Sequence, residues 1–415
     1  MIVDKHQPKK RVLDTSHVGK RRWWVWFVRM MWVGVHSIWA VPVIIYLRIQ
    51  AQQRQIRLCL LNSSRIGHFV VDGAHHVYQN ETAASGRSVL YYWNGTPCNS
   101  QVARMLKRAL KVQWWVYPLV AWDRAIPGRT KLEIPSSPTG SRDLTGAFAK
   151  APGVLSFTMK ENQQALAWLQ SYGWQPGEDF VCLLVRDGAY LHTVGRALGS
   201  RQDWSYHDYR NSEIDDFVPA VKWLTDQGIW VLRMGSVAAH RTPFSSPRFI
   251  DYPFESGKCD LLDIWLFANC SACISTASGP DSIAAVFNRP TLFVNALPIN
   301  LAHTFSDATW YPKHLSWEKT GVRLSLVEHL DHSYLRTEDY DAVGISISSM
   351  SPEEIRSATE EFWWSRFAER MRPSIDSSLS VEHLGLYLSH ANCQRKHGWV
   401  HPNFRLYLPD HDLSV

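Results

Sequence analysis

The sequence predicts an α/β protein made of two Rossmann-like domains facing each other across a cleft, preceded by a membrane-associated helix. Three observations carry that expectation. From about residue 56 onward, short apolar runs alternate with longer runs of helical spacing, the pattern of parallel strands joined by crossover helices. The turn Gly173-Trp-Gln-Pro-Gly-Glu-Asp179 divides this alternation into two series. Residues 23–47 form a Trp-rich apolar stretch that stands outside it. A chain of 415 residues has room for two to three units at about 150 residues each.

The N-terminal end combines charge with apolar surface. Residues 1–22 hold seven Lys/Arg against Asp4 and Asp14, a balance of +5, so the rest of the chain carries only +1 of the formal +6. A nearly neutral body with a basic arm is not built to lie along nucleic acid. Next to an apolar segment, such an arm matches an anionic membrane surface, here met by residues 1–47. The stretch 23–47 is long enough to cross a hydrocarbon core at 1.5 Å per residue. Arg29 and His36 share one helical face, however, and Pro42 bends the helix. Its tryptophans suit the headgroup boundary, and Arg48, Arg54 and Arg57 make the far flank basic too. A peripheral or monotopic helix at the cytoplasmic face of the inner membrane fits this symmetry. The alternatives are a type II single span and a buried core helix.

The body follows in order. Ile56–Leu61 reads as a strand that turns at Asn62-Ser-Ser-Arg-Ile-Gly-His68 into a helix. Ser88–Trp93 is a second strand, 102–110 a helix and Val112–Tyr117 a third strand. Residues 126–153, rich in Pro, Gly, Ser and Thr, read as a long loop or lid, and 161–172 as a helix. The second series opens with Phe180–Val185, a continuous apolar run typical of a strand buried on both faces. It continues with a helix at 214–227, a strand at 229–233, a helix at 261–269, a strand at 271–275, a helix at 281–287 and a strand at 290–294. A helix over 352–372 closes the pattern. The domain boundaries expected are 1–50 for arm and helix, 51–172 and 173–345 for the two Rossmann-like domains, and 346–415 for a C-terminal helix and tail. The seven cysteines are odd in number and sit mostly in apolar runs, which favours buried thiols over a disulfide framework.

Ligands of open parallel sheets bind beyond the carboxyl ends of strands, so the residues there are the candidates. Ser63–His68 follows the first strand. Arg186 and Asp187 follow Val185, Arg233-Met-Gly235 closes another strand, and Ser275-Thr-Ala-Ser278-Gly279-Pro280 follows a third. Between them lies His207-Asp-Tyr-Arg210-Asn211. Three arginines at such positions supply fixed cations, and a guanidinium makes forked contacts to phosphate oxygens. The Ser278-Gly279 turn would add backbone N–H groups. The plain alternative for each arginine is a salt bridge, with Asp187, Asp208, Asp215 and Asp216 nearby. Neither Asp339-Tyr-Asp341 nor Asp410-His-Asp412 follows a predicted strand, and Cys270-Ser-Ala-Cys273 lacks a second pair, so no metal site is assigned.

Ser64-Arg-Ile-Gly-His68-Phe69, Val185-Arg-Asp187-Gly-Ala-Tyr190, His207-Asp-Tyr-Arg-Asn211-Ser212, Arg233-Met-Gly235 and Ser278-Gly-Pro280 occur in that order. Over roughly 56–345 this series resembles a bacterial glycosyltransferase family met among surface-polysaccharide gene clusters. Two positions depart from the family pattern: Val71-Asp72-Gly73 stands where an Asn-Thr-Glu is usual, and Leu183-Leu184 where a His often precedes Val-Arg-Asp. The resemblance implies a GT-B-like enzyme, with the acceptor on the 51–172 side and a nucleoside diphosphate sugar on the 173–345 side. It implies transfer of a sugar to a glycan or lipid-linked glycan acceptor. Donor contacts would come from Arg186, Asp187, His207, Arg210, Asn211, Arg233, Gly235, Ser275, Ser278 and Gly279. His68 and Asp72 would be the candidates for the base that activates the acceptor hydroxyl. Charge on the leaving diphosphate would be met by arginines, with no metal and no further cofactor. Two other functions fit the same sequence: a nucleotide-sugar epimerase, and a catalytically degenerate membrane-tethered scaffold of polysaccharide assembly.

Overall fold

The protein's computed structural model describes residues 27–28, 30–50, 56–82, 88–128, 131–188, 205–367 and 381–408. The basic arm and Tyr190 lie outside these residues.

The first series begins with helix α1 (Ser37–Ile49), strand β1 (Ile56–Asn62), α2 (Ile66–Thr82) and β2 (Ser88–Asn94). It continues through α3 (Ser100–Ala109), α4 (Val116–Ala125), the short α5 (Ala147–Lys150) and α6 (Met159–Gln170). β1 and β2 pair in parallel with Leu58 opposite Leu90 and Cys59 opposite Tyr91. Successive side chains of a strand point to opposite faces. Leu58 and Leu60 therefore pack with α1 and α4, whereas Cys59 and Leu61 join a larger core with Phe69, Val70 and Tyr91.

One expectation for this half is corrected. The run 112–117 is not a strand: only Val112 bridges to Tyr91, and the chain turns into α4 at Val116. Pro118 falls in the first turn of α4, where its missing N–H has no intrahelical acceptor to lose. Burial of Val116, Leu119 and Val120 then outweighs the strand preference of the local sequence. The first sheet consequently has two strands, extended only by single bridges at Val112 and Glu133. The 126–153 stretch is loop, as expected, apart from α5 and a single bridge at Glu133, and it is pinned to the body. Leu132 and Ile134 exchange backbone hydrogen bonds with Leu58, and the buried Asp143 carboxylate accepts from the Thr145 and Phe148 N–H groups.

The N-terminal helix is seated on the body. Ala40 and Ile44 lie one turn apart and are fully buried with Val116, Leu119 and Val120. Arg48 in its last turn donates to the Asp123 carboxylate at 2.9 Å and to the Ile126 and Pro127 carbonyls. Among the described residues no helix is long and apolar enough to cross a membrane.

The second series builds one parallel sheet. Its strands are β3 (Phe180–Leu184), β4 (Trp230–Arg233), β5 (Phe249–Asp251), β6 (Ala272–Ser275), β7 (Thr291–Phe293), β8 (Ala308–Trp310) and, from the tail, β11 (Arg405–Leu406). The order is β11-β8-β7-β6-β3-β4-β5. Helices α7 (Val218–Asp226), α8 (Asp260–Asn269) and α9 (Asp281–Val286) are its crossovers. Val181 and Leu183 of β3 face Val221 and Leu224 of α7 together with Ile355 and Phe362 of the later helix Pro352–Phe367. Phe180, Cys182 and Leu184 face the other way, into the core that also contains Cys59, Leu61 and Phe69. That apolar core is therefore continuous between the two sheets. A two-stranded antiparallel sheet, β9 (His314–Trp317) with β10 (Ile345–Ser348), lies beyond β8 in sequence.

Candidate active site

From β3 the chain runs outward to β4 and β5 on one side, then returns to lay β6, β7 and β8 on the other. Beyond the carboxyl ends of β3 and β6 a parallel sheet of this order opens a crevice. The Arg186 N–H donates to Thr276 Oγ1 at 2.9 Å and the Thr276 N–H to the Leu184 carbonyl at 3.1 Å, so the two strand ends are tied together there.

Two cations meet at this point. Arg210 closes the 3-10 turn Ser205–Arg210 and donates from Nη2 to the Ala277 carbonyl at 2.5 Å. Arg186 reaches Asn211 Oδ1 from Nε at 3.4 Å. Burial, and after it the Arg210 guanidinium, bring Arg186 down to about 10, against a weaker opposing pull from Tyr209, Asp208 and Tyr206. Like charges held close in a half-buried place raise the field felt by an anion. Among the described residues, three polar atoms of this neighbourhood that are themselves buried have no hydrogen-bond partner: Arg210 Nε, Ser212 Oγ and His303 Nδ1. His303 is half-buried, packed against the rings of Phe293, Phe305 and Trp310, and is held neutral, near 3, by desolvation and then by Arg142, Arg210 and His397. Buried polar atoms rarely go unpaired, and orphans gathered beside two guanidiniums mark a place for a polar ligand.

The remaining candidates divide. Asn211 lies between the arginines and Asp208, donating to Asp208 Oδ1 at 2.8 Å. His207 belongs to the same 3-10 turn, and its side chain lies outside the described residues. Ser275, Ser278 and Gly279 are at the crevice, but their roles differ from the expected cradle. The Ser275 hydroxyl and the Ser278 N–H both donate to Asp281 Oδ2, at 2.7 and 2.6 Å. A carboxylate three residues on thus caps the turn and takes the Ser278 N–H from any ligand. Burial lifts Asp281 to about 6, while Ser275, Ser278 and Arg210 pull the other way. The Ser278-Gly-Pro-Asp281 spacing is the sequence signature of such reach-back capping.

Arg233 is set apart from the pair. It is 2% exposed and donates to the His240 carbonyl at 2.7 Å, with Asp251 Oδ1 at 3.4 Å and Asp187 Oδ2 at 3.9 Å. The reason is topological: β4 lies one strand outside β3, and its end is covered by the 239–242 segment and by Asp251 of the edge strand β5. Asp187 also accepts the Ala239 N–H at 2.9 Å, and Gly235 turns away beside Pro253. These three residues form a structural corner, and of the proposed arginines two remain in the crevice.

The other wall comes from the first series. Gly67, at the start of α2, lies so close to Gly279 that a Cβ there would stand 3.1 Å from the Gly279 carbonyl oxygen. The next residue, His68, is one helical turn before Asp72, with Nδ1 3.6 Å from Asp72 Oδ2. The Asp72 side chain is buried and His68 is 37% exposed. Ser141 touches both, bonding His68 Nδ1 and donating to Asp72 Oδ2 at 3.1 Å. Ser141, Asp281 and His303 are the site residues that motif spacing missed. Only Asp281 left a local signal. Among the described residues no group of three or more His, Cys, Asp and Glu is placed to hold a metal ion.

No family model and no curated protein sequence matches the chain. Among solved structures it is similar to a glycosyl transferase family 9 protein of Veillonella parvula, at 9% identity and a TM-score of 0.44, over 75% of this chain and 97% of that one. It is also similar to the ADP-heptose LPS heptosyltransferase II of E. coli, at 10% identity and a TM-score of 0.42, over 75% of this chain and 100% of that one.

Proposed function

We propose that the protein is a glycosyltransferase that moves a sugar from a nucleoside diphosphate sugar to a glycan or lipid-linked glycan acceptor. The observation that supports this most is the Arg186–Arg210 pair in the crevice between β3 and β6, with buried polar atoms beside it that no described residue partners. A diphosphate carries about two negative charges and offers acceptor oxygens to such donors. As the glycosidic bond breaks, charge grows on that diphosphate, and fixed guanidiniums stabilise it without reorganising. Across the Gly67–Gly279 contact, His68 backed by Asp72 supplies a base for the acceptor hydroxyl. Arg233, Asp187 and Gly235 have no part in this proposal.

We also place the protein at an anionic membrane surface, at the cytoplasmic face of the inner membrane. Support comes from the +5 arm and from the outer face of the N-terminal helix, where Val35, Ile38 and Ile49 are 65%, 83% and 72% exposed. Met31, Val35, Ile38, Ile45 and Ile49 recur at helical spacing opposite the buried Ala40 and Ile44. Apolar burial and roughly 1 kcal/mol per basic residue near an anionic surface would act together.

The test is a panel of nucleoside diphosphate sugars with the full chain, read by thermal shift and by product analysis. A bound donor at 100 times its dissociation constant adds about 2.7 kcal/mol of stability. Sugar appearing on an acceptor, with release of the nucleoside diphosphate, is the expected result. Turnover of the donor into an isomeric nucleotide-sugar without acceptor would identify an epimerase instead. Absence of any binding, with the fold intact, would sink both.

A further inference from the structure

Ser141 belongs to the 126–153 stretch, far in sequence from α2, yet its hydroxyl lies between the two residues proposed as the base. It bonds His68 Nδ1, donates to Asp72 Oδ2 at 3.1 Å and lies 3.1 Å from Ser137 Oγ. Its backbone is left-handed, at φ 59°, a conformation that a serine adopts at a cost and holds only where its surroundings fix it. The fixing comes from the next residue. Arg142 donates to the Lys396, Leu301 and Ala302 carbonyls and packs 5.4 Å over the Phe305 ring. The loop is thereby anchored to the tail and to the segment after β7.

A hydroxyl has one hydrogen. Given to Asp72, that hydrogen leaves Ser141 Oγ as the acceptor for His68, whose Nδ1 must then carry its own hydrogen. Nε2 is left with a lone pair, and no described residue bonds it. We propose that Ser141 is a positioning residue: it relays the Asp72 carboxylate to His68 and holds the imidazole in the Nδ1–H tautomer, with Nε2 open as the proton acceptor. Direct contact is too long to do this, since Nδ1 and Asp72 Oδ2 are 3.6 Å apart. Only the last step rests on the glycosyl-transfer proposal. There, Nε2 takes the hydrogen of the acceptor hydroxyl, the acceptor oxygen forms its bond to the anomeric carbon, and the electron pair of the breaking bond leaves with the diphosphate. The imidazolium so formed is stabilised through Ser141 by Asp72, as a buried carboxylate stabilises a catalytic histidine elsewhere.

The experiment reads the tautomer itself. Full-length protein labelled with 15N-histidine is examined by long-range 1H–15N correlation above pH 8, with neither donor nor acceptor, and the His68 signals are assigned by their loss in His68→Gln. Ser141→Gly removes the hydroxyl and keeps the left-handed backbone unstrained. Ser137→Ala removes a hydroxyl that touches Ser141 alone in this cluster. Wild type and Ser137→Ala should show the Nδ1–H form, and Ser141→Gly should invert the ratio towards Nε2–H, which the free side chain prefers. An Nε2–H wild type, or a ratio that Ser141→Gly leaves unchanged, overturns the proposal. In a transfer assay Ser141→Gly should lower kcat roughly tenfold or more with KM for the donor unchanged, on the scale of general base catalysis. If the tautomer behaves as expected but no sugar is transferred by the wild type, the relay stands and the glycosyl-transfer proposal falls.

Discussion

Replacing Arg233 and Arg210 one at a time separates a structural cation from a ligand-facing one. Arg233 is buried, and its partners Asp251 and Asp187 are held within 3.4 and 3.9 Å. Arg233→Ala leaves the Asp251 carboxylate, 10% exposed, without its cation and the His240 carbonyl without its donor. Removing one member of a buried ion pair costs about 3–5 kcal/mol. For a folding unit of 150–250 residues that is a fall in Tm of roughly 6–20 °C, at about 2–4 °C per kcal/mol. Arg210→Gln removes one bond to the Ala277 carbonyl and leaves Asp281 its bonds from Ser275 and Ser278. Its Tm should stay within a few degrees of wild type. Nucleoside diphosphate binding, measured by calorimetry, should weaken by about 1.5–3 kcal/mol, the scale of a charge-assisted hydrogen bond, or roughly 10- to 150-fold in Kd. An Arg233→Ala protein as stable as wild type, or an Arg210→Gln protein that melts early with unchanged affinity, would refute this assignment of the two arginines.

Deleting residues 1–22, the +5 arm, should keep the wild-type urea midpoint and reduce flotation with anionic vesicles. Deleting 1–50 should cut soluble yield, because it strips Ala40 and Ile44 from Leu58, Leu60 and Val116, Ile44 alone being worth about 1.5–3 kcal/mol when fully buried, and leaves Asp123 without Arg48; a 51–415 fragment with the wild-type midpoint would contradict the seating of α1. Burial lifts Asp281 from the ordinary carboxylate value of 3.8 to about 6, so the folded form binds more protons than the unfolded chain between those values. Its contribution is fully present below 3.8 and is lost as pH rises through 6, so Asp281→Asn should flatten that part of the stability profile in urea titrations between pH 4 and 7; an unchanged profile would mean the carboxylate is solvated. Gly67→Ala should lower Tm, because its Cβ meets the Gly279 backbone at 3.1 Å and overpacking costs about 1–3 kcal/mol. It should also slow transfer more than it weakens donor binding, since it shifts His68 against a crevice whose arginines stay in place.

The sequence alone determined the strands and most of the helices of the second series. Phe180–Leu184, Trp230–Arg233 and Ala272–Ser275 are short apolar runs bounded by turns, and a strand buried on both faces has to be written that way. It also placed Arg186 and the 275–279 turn at strand ends and Arg210 in the loop between them, because ligand sites in such sheets lie where strands stop, and that is a matter of chain order. Tertiary structure decided everything that depended on what stands opposite. Val112–Tyr117 has the residues of a strand, but Leu58, Leu60, Ala40 and Ile44 offered a helix face to pack against, and burial outweighs local propensity. The N-terminal stretch carries apolar residues on more than one side in sequence. Only contact with α4 distinguishes the buried Ala40 and Ile44 from the exposed Ile38 and Ile49. Arg233 and Arg210 were both candidate phosphate ligands in sequence terms, one closing a strand and one in a loop. One strand position separates them: the end of β4 is closed by Asp251 of β5, whereas Arg210 returns to the central crevice over Ala277. Ser141 carries no motif at all. Its place beside His68 and Asp72 comes from the anchoring of a loop by Arg142 on carbonyls more than 150 residues away, a long-range contact that no local pattern encodes.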